Sequence, residues 1–257
     1  MNVPLSVAFN GDRTRAAFRL FHPKGNIITA EIVDALADAL ASVGENPHLK
    51  LITIEGAGAD FSFGASIPEH VPGDIDRVLP RMHELLQALI DAPAPTAAIV
   101  RGRCLGGGFE VALACDFIFA SETAVFGLPE ISLGVFAPAA SVLLAARTGG
   151  ACATRALLTG ATYPASYWRD KGLIELVAAD AVLGDEVEQW FAAHLTGRSA
   201  AALRYAALAA RVDVAARLRD QLPVVERLYL QGLMQTHDAP EGIAAFLEKR
   251  TPRWTDR

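Results

Sequence analysis

At 257 residues, with 52% hydrophobic and 20% charged side chains, the chain has the makeup of a globular protein that buries a large core, which excludes a disordered one. Its net charge of −6 excludes a broad nucleic-acid-binding surface and leaves room only for a local basic site.

In chain order, the apolar runs at 5–9 and 15–21 predict two strands separated by the turn Asn10-Gly11-Asp12. Apolar residues at helical spacing predict a helix over 26–43 that stops at Gly44. A strand over 49–56, a helix over 76–92 with Pro80 in its first turns, and a strand over 95–102 follow. Next come a helix over 106–115, a strand over 116–121 and a short strand over 124–127. From about Gly149 the strand signals nearly vanish, and helices are expected over 149–160, 186–195, 200–219, 222–235 and 240–250. The pattern predicts an α/β core over residues 1–195, coiled from repeated strand-strand-helix units, and a helical oligomerisation region over 196–257.

Cys104, Cys115 and Cys152 are too few and too scattered for a disulfide framework or a zinc site, and read as packing thiols. No His, Asp or Glu cluster has metal-ligand spacing. The first residues lack a charged segment followed by an apolar one, and charges interrupt the alanine-rich stretches before the ~18 apolar residues a membrane span needs. A soluble, cytoplasmic protein with no membrane partner is expected.

Three stretches carry chemistry. In Arg103-Cys-Leu-Gly-Gly-Gly-Phe-Glu110, three glycines open a helix just after a strand, and a lone glutamate follows in an otherwise apolar run. A buried charge there is costly unless paired or used. The glycines fit neither a phosphate loop nor a dinucleotide fingerprint, which leaves close helix packing or backbone N–H groups aimed at an anion. Asp-Phe-Ser-Phe-Gly-Ala-Ser (60–66) has the outline of a nucleophile elbow, but Asp60 stands where its first glycine belongs and no triad partners follow. A turn whose N–H groups face a cleft is the reading favoured over a Ser62 nucleophile. Glu130, in Phe126-Gly-Leu-Pro-Glu-Ile, is a second carboxylate beside an apolar turn. Alone it reads as a cap or ion-pair member; with Glu110 it makes an acid–base pair whose pKa values burial and repulsion would separate. His70 lies close to the 60–66 turn, where it either lines the site or is a hydrogen-bonded structural histidine.

The 61–66 turn, the long 100–135 stretch, Thr154-Arg-Ala-Leu-Leu-Thr-Gly160, and the ending His237 to Trp254 together resemble the enoyl-CoA hydratase/isomerase (crotonase) family over nearly the whole chain. The resemblance implies a spiral of ββα units, C-terminal helices that trimerise, a homotrimer or dimer of trimers, and an acyl-CoA thioester substrate. Coenzyme A then arrives as part of the substrate, with no separate cofactor. It further implies an oxyanion hole from the backbone N–H groups of Phe63 and Gly107, with Glu110 and Glu130 as catalytic residues whose acid and base roles stay unassigned. Family isomerases often keep only one of these glutamates, so two favour hydration. The substrate contacts implied are Lys24, Phe61, Ala65, Ser66, His70, Phe136, Ala137, Phe246 and Lys249. Ser66 stands where the family usually has Asp, and Phe61 and Phe63 replace small residues. With Lys24-Gly-Asn-Ile27, Pro68-Glu-His70 and Gly134-Val-Phe-Ala-Pro138, these departures most resemble the branch that hydrates cyclic dienoyl-CoA thioesters such as cyclohexa-1,5-diene-1-carbonyl-CoA. An ordinary 2-enoyl-CoA hydratase or isomerase, and a non-catalytic binding protein, are the competing expectations.

Overall fold

The computed structural model describes residues 3–71 and 73–257. The chain opens with the antiparallel pair β1 (Leu5–Phe9) and β2 (Arg15–Leu20). Helix α1 (Ala30–Gly44) is capped by the Thr29 hydroxyl, which accepts from the Ile32 N–H at 3.3 Å, and buries a stripe that includes Ile32, Leu36 and Val43. Then come β3 (Leu51–Gly56), a tight helical turn (Ile67–His70), α2 (Ile75–Ile90), β4 (Thr96–Val100), β5 (Arg103–Leu105), α3 (Gly107–Ala114), β6 (Phe117–Ser121) and β7 (Val125–Gly127). A second tight turn (Pro129–Leu133) leads to α4 (Pro138–Thr148), α5 (Gly150–Thr159), β8 (Thr162–Pro164), α6 (Ala165–Asp170), β9 (Leu176–Ala178) and α7 (Leu183–Phe191). The chain ends in α8 (Ala200–Ala210), α9 (Val212–Arg227), a widened turn (Leu228–Gly232) and α10 (Asp238–Leu247).

Six strands form one sheet in the order β1-β2-β3-β4-β6-β9, parallel apart from the first pair, and β5-β7-β8 form a second, smaller one. Successive units place one strand in the large sheet and the next in the small layer: β4 is followed by β5, and β6 by β7. The Ser62–Cys104 bridge puts the segment after β3 in the same small layer. Each unit then closes with a helix, which yields the expected ββα spiral. The strand β4 is buried throughout and, after Thr96, carries only apolar side chains, as suits a strand covered on both faces.

Of the four three-residue strands among the described residues, β7 is foreseen, and β5, β8 and β9 escape periodicity because three residues are too short to alternate. The helix expected over 200–219 is broken at Arg211. Its guanidinium reaches inward to the carbonyls of Ile90, Ala92 and Ala94 at 3.0, 2.6 and 2.8 Å and to both oxygens of Asp116. The next helix starts at Val212 and runs through Pro223, where a helix start had been expected. Leu218 and Leu222 of α9 join the main core, and His83 of α2 meets Glu226 of α9 at 2.6 Å. The change near residue 195 is therefore one of secondary structure, not a break in the core. Among the described residues no helix is long and apolar enough to cross a membrane.

Candidate active site

The segment after β3 docks on β5: the Phe61 and Ser62 N–H groups donate to the Arg103 carbonyl at 3.1 and 3.0 Å, and Leu105 N–H returns a bond to Ser62. The following backbone is held from the other side by residues 25–28. Phe63 N–H donates to the Gly25 carbonyl at 2.9 Å, Ile28 N–H to Gly64, and Ser66 N–H to Ile28. Gly64 N–H is taken by the Ser62 hydroxyl at 3.1 Å. The N–H of this turn with no protein acceptor among the described residues is that of Ala65. It lies against α3, because a Cβ built on Gly107 would be 3.2 Å from the Ala65 nitrogen. Gly107 is the first residue of α3, so its own N–H has no partner within the helix. The pair of open donors is thus Ala65 and Gly107. Phe63, expected as the first donor, has its N–H already bonded, and its ring instead lies beneath the Arg103 guanidinium, 5.0 Å away.

Each glycine of the triplet yields to a neighbour. Gly106 has φ +49°, and a side chain there would run into the Glu130 carboxylate. A Cβ on Gly107 would crowd Ala65, and one on Gly108 would sit 2.5 Å from the Ser62 Cβ. Packing and anion access, left open by the sequence, are therefore both served by the same three residues.

Glu110, on the first turn of α3, is 5% exposed. Its Oε1 accepts from the Ala140 N–H at 2.8 Å, at the start of α4. Burial pushes its pKa up to about 7 against the opposing pull of the Ala140 and Ala139 N–H groups. Glu130 sits on the turn after β7 with its Oε2 enclosed and without a hydrogen-bond partner among the described residues. Burial, and then the charge of Glu110, push it up to about 8. One apolar site thus holds two carboxyls that are both raised into the neutral range.

Both face a cavity of about 1030 Å³. Lys24, Ala65, Ser66, His70, Phe136, Ala137, Phe246 and Lys249 all line it, as expected. Phe61 does not: it is wholly buried in the main core beneath the turn, so its place among the substrate contacts is corrected. His70 holds the Ser66 carbonyl through Nδ1 at 2.8 Å, and burial lowers its pKa, which makes it a neutral wall residue. Ile75, Leu79 and Met82 of α2, with Tyr229 in the widened turn, also line it. Sequence reasoning passed over these four because a helical apolar stripe reads the same whether it faces a core or a cavity. Among the described residues no group of three or more His, Cys, Asp or Glu could hold a metal ion.

The family profile of enoyl-CoA hydratase/isomerase matches residues 14–257. The chain is 42% identical over 254 residues to cyclohexa-1,5-dienecarbonyl-CoA hydratase of Thauera aromatica, covering 99% of this chain and 98% of that enzyme. It is 31% identical to 2,3-dehydroadipyl-CoA hydratase of Escherichia coli, over 90% of this chain and 91% of that one. An enoyl-CoA hydratase crystal structure from Mycobacterium avium subsp. paratuberculosis superposes with a TM-score of 0.87 at 29% identity, covering 98% and 99% of the two chains. Since these matches run through both donor turns and both glutamates, the chain belongs to the enoyl-CoA hydratase/isomerase family.

Proposed function

We propose that the protein hydrates a conjugated cyclic dienoyl-CoA thioester, cyclohexa-1,5-diene-1-carbonyl-CoA foremost, in anaerobic aromatic degradation. The observation that carries this reading is the 42% identity, over almost the full length of both chains, to a hydratase of that name. The cavity supports it: an apolar space lined by two carboxyls that are raised into the neutral range suits a flat ring that must gain water.

In the reaction, the N–H groups of Ala65 and Gly107 hold the thioester oxygen, and the positive end of α3 favours the charge that develops there. The ionised member of the glutamate pair takes a proton from water as the water oxygen bonds to the β-carbon. Electrons move through the conjugated system to the thioester oxygen and form an extended enolate. The protonated member returns a proton to the far diene carbon, the remaining double bond shifts between them, and the carbonyl re-forms. One water is added and the pair finishes one proton exchanged. Lys24 and Lys249, at the cavity mouth, suit the phosphates of coenzyme A, which enters with the substrate and makes a separate cofactor unnecessary. Exposed apolar residues on the C-terminal helices, Tyr205 (73%), Val212 (66%) and Leu228 (60%), support assembly as a homotrimer or dimer of trimers, working in the cytoplasm.

Incubation with the cyclic dienoyl thioester and with crotonyl-CoA, followed by mass analysis of the water adduct, tests the reading. A higher kcat/KM for the cyclic substrate is expected. Faster turnover of crotonyl-CoA would assign the protein to general 2-enoyl-CoA hydration instead.

A further inference from the structure

Two polar groups that line the cavity make no hydrogen bond among the described residues. One is Glu130 Oε2. The other is the hydroxyl of Tyr229, a residue only 1% exposed whose ring packs on Phe136 at 5.4 Å and sits in an apolar cluster with Ile75, Leu79 and Val135. A tyrosine whose ring is this enclosed ordinarily finds a hydrogen-bond acceptor, and a hydroxyl that borders the same cavity as an enclosed carboxylate oxygen calls for a common explanation. The backbone supplies a further sign. Tyr229 lies in the widened turn Leu228–Gly232 that follows directly on α9, a departure from α-geometry often found at functional sites.

We propose that Tyr229 is a positioning residue for the hydration. Its hydroxyl donates a hydrogen bond to the water that adds, held between Tyr229 and Glu130 Oε2, and afterwards to the new alcohol oxygen of the product. No proton leaves the tyrosine. Burial, reinforced by the charges of Glu130 and Glu110, raises its pKa, so the group stays a neutral donor throughout the working pH range. A water with one donor and one acceptor fixed around it reaches the ring carbon already oriented, and the adjoining Phe136 and Leu79 keep bulk solvent from replacing it. The inference rests on the hydratase reading above.

Tyr229→Phe removes one oxygen and keeps the ring, and is measured on whichever thioester the wild type hydrates. The expected result is a kcat lowered about 10- to 100-fold, the scale of one well-placed hydrogen bond, with KM within about threefold. The thermal midpoint should be unchanged, which a purely structural role would shift. The double variant Y229F/E130Q should lose little more than E130Q alone, because both act on the same water. Wild-type kcat in Y229F, or strictly multiplicative losses in the double variant, overturns the assignment while leaving the hydratase reading intact. A wild type that hydrates neither thioester overturns the hydratase reading and this inference with it.

Discussion

The cavity has two walls built on different principles. One, made of 63–66, 106–110 and 129–133, is fixed by backbone hydrogen bonds: Phe63 to Gly25, Ser66 to Ile28, Gly106 to Gly127. The other, made of α2 and the C-terminal segments around Tyr229 and Phe246, is fixed by side-chain packing. The difference follows from what each must do. Donors that stabilise a developing charge have to be placed within a fraction of an ångström, and a paired backbone holds that better than a side chain. A wall that only selects shape can be repacked by conservative changes at modest cost. Substitutions on the first wall should therefore alter the chemistry, and substitutions of the apolar groups of the second, the Tyr229 hydroxyl being set apart, should alter selectivity.

The largest expected effect tests the first half of that contrast. Glu110→Gln and Glu130→Gln should each lower kcat by ~10²–10⁴, the usual scale for a general acid or base, while calorimetry shows CoA-ester binding little changed. Near-wild-type turnover in either variant would remove that residue from the proton transfers. Next comes Gly106→Ala, which leaves every ionisable group in place. Its φ of +49° and the approach of the Glu130 carboxylate should together lower kcat by about 10- to 100-fold and cost ~1–2 kcal/mol of stability in denaturant titration. Full activity in that variant would show that the Glu130 side chain needs no such backing.

The two raised carboxyls give the wall a pH signature. With Glu110 near 7 and Glu130 near 8, the singly protonated pair peaks between those values. A bell-shaped kcat centred there is expected, with one limb lost in each Gln variant. Stability runs the other way from an ordinary paired carboxylate. Both folded values lie above the 4.5 of a free glutamate, so from that value upward the unfolded chain binds fewer protons than the folded one. The contribution of the neutral carboxyls is whole below the unfolded value and is lost as pH climbs through the folded values. From about pH 5 to about 8.5 the wild type should lose stability relative to the E110Q/E130Q double variant. A difference that stays constant over this range would mean that both carboxyls titrate as free ones do.

The two walls also differ in how readable they are. Glu110 stands out as the one charge in an apolar run, and Glu130 as a carboxylate beside a proline turn, so both are legible from local context. Which N–H of the 61–66 turn stays open is not legible. The choice of Ala65 over Phe63 is made by carbonyls at Gly25 and Ile28, far away in sequence. Nor does local sequence tell that Phe61 turns into the core while Phe63, two residues on, turns toward the mouth. The packed wall was hardest to foresee, because Leu79, Met82 and Tyr229 are apolar or amphipathic residues on helical segments and nothing local separates a cavity face from a core face. The main strands, by contrast, came from runs of apolar residues long enough to leave a pattern.

The smallest expected effect tests the second wall. Leu79 lies on α2, lines the cavity and belongs to the apolar cluster of Tyr229, which includes no residue of either donor turn. Leu79→Ala removes atoms that would contact a ring and leaves Ala65, Gly107 and both carboxyls in place. Because the lost methyl groups border a cavity on one side, the stability cost should fall near the low end of the usual range for such a truncation, ~2 kcal/mol. Selectivity should move more clearly than rate. The ratio of kcat/KM for the cyclic dienoyl thioester over crotonyl-CoA should fall about tenfold, as expected when a pocket loses contacts worth one or two methylenes. If instead both substrates slow equally, α2 supports the donor turns rather than the ring, and the division between a backbone-fixed wall for chemistry and a packed wall for shape fails.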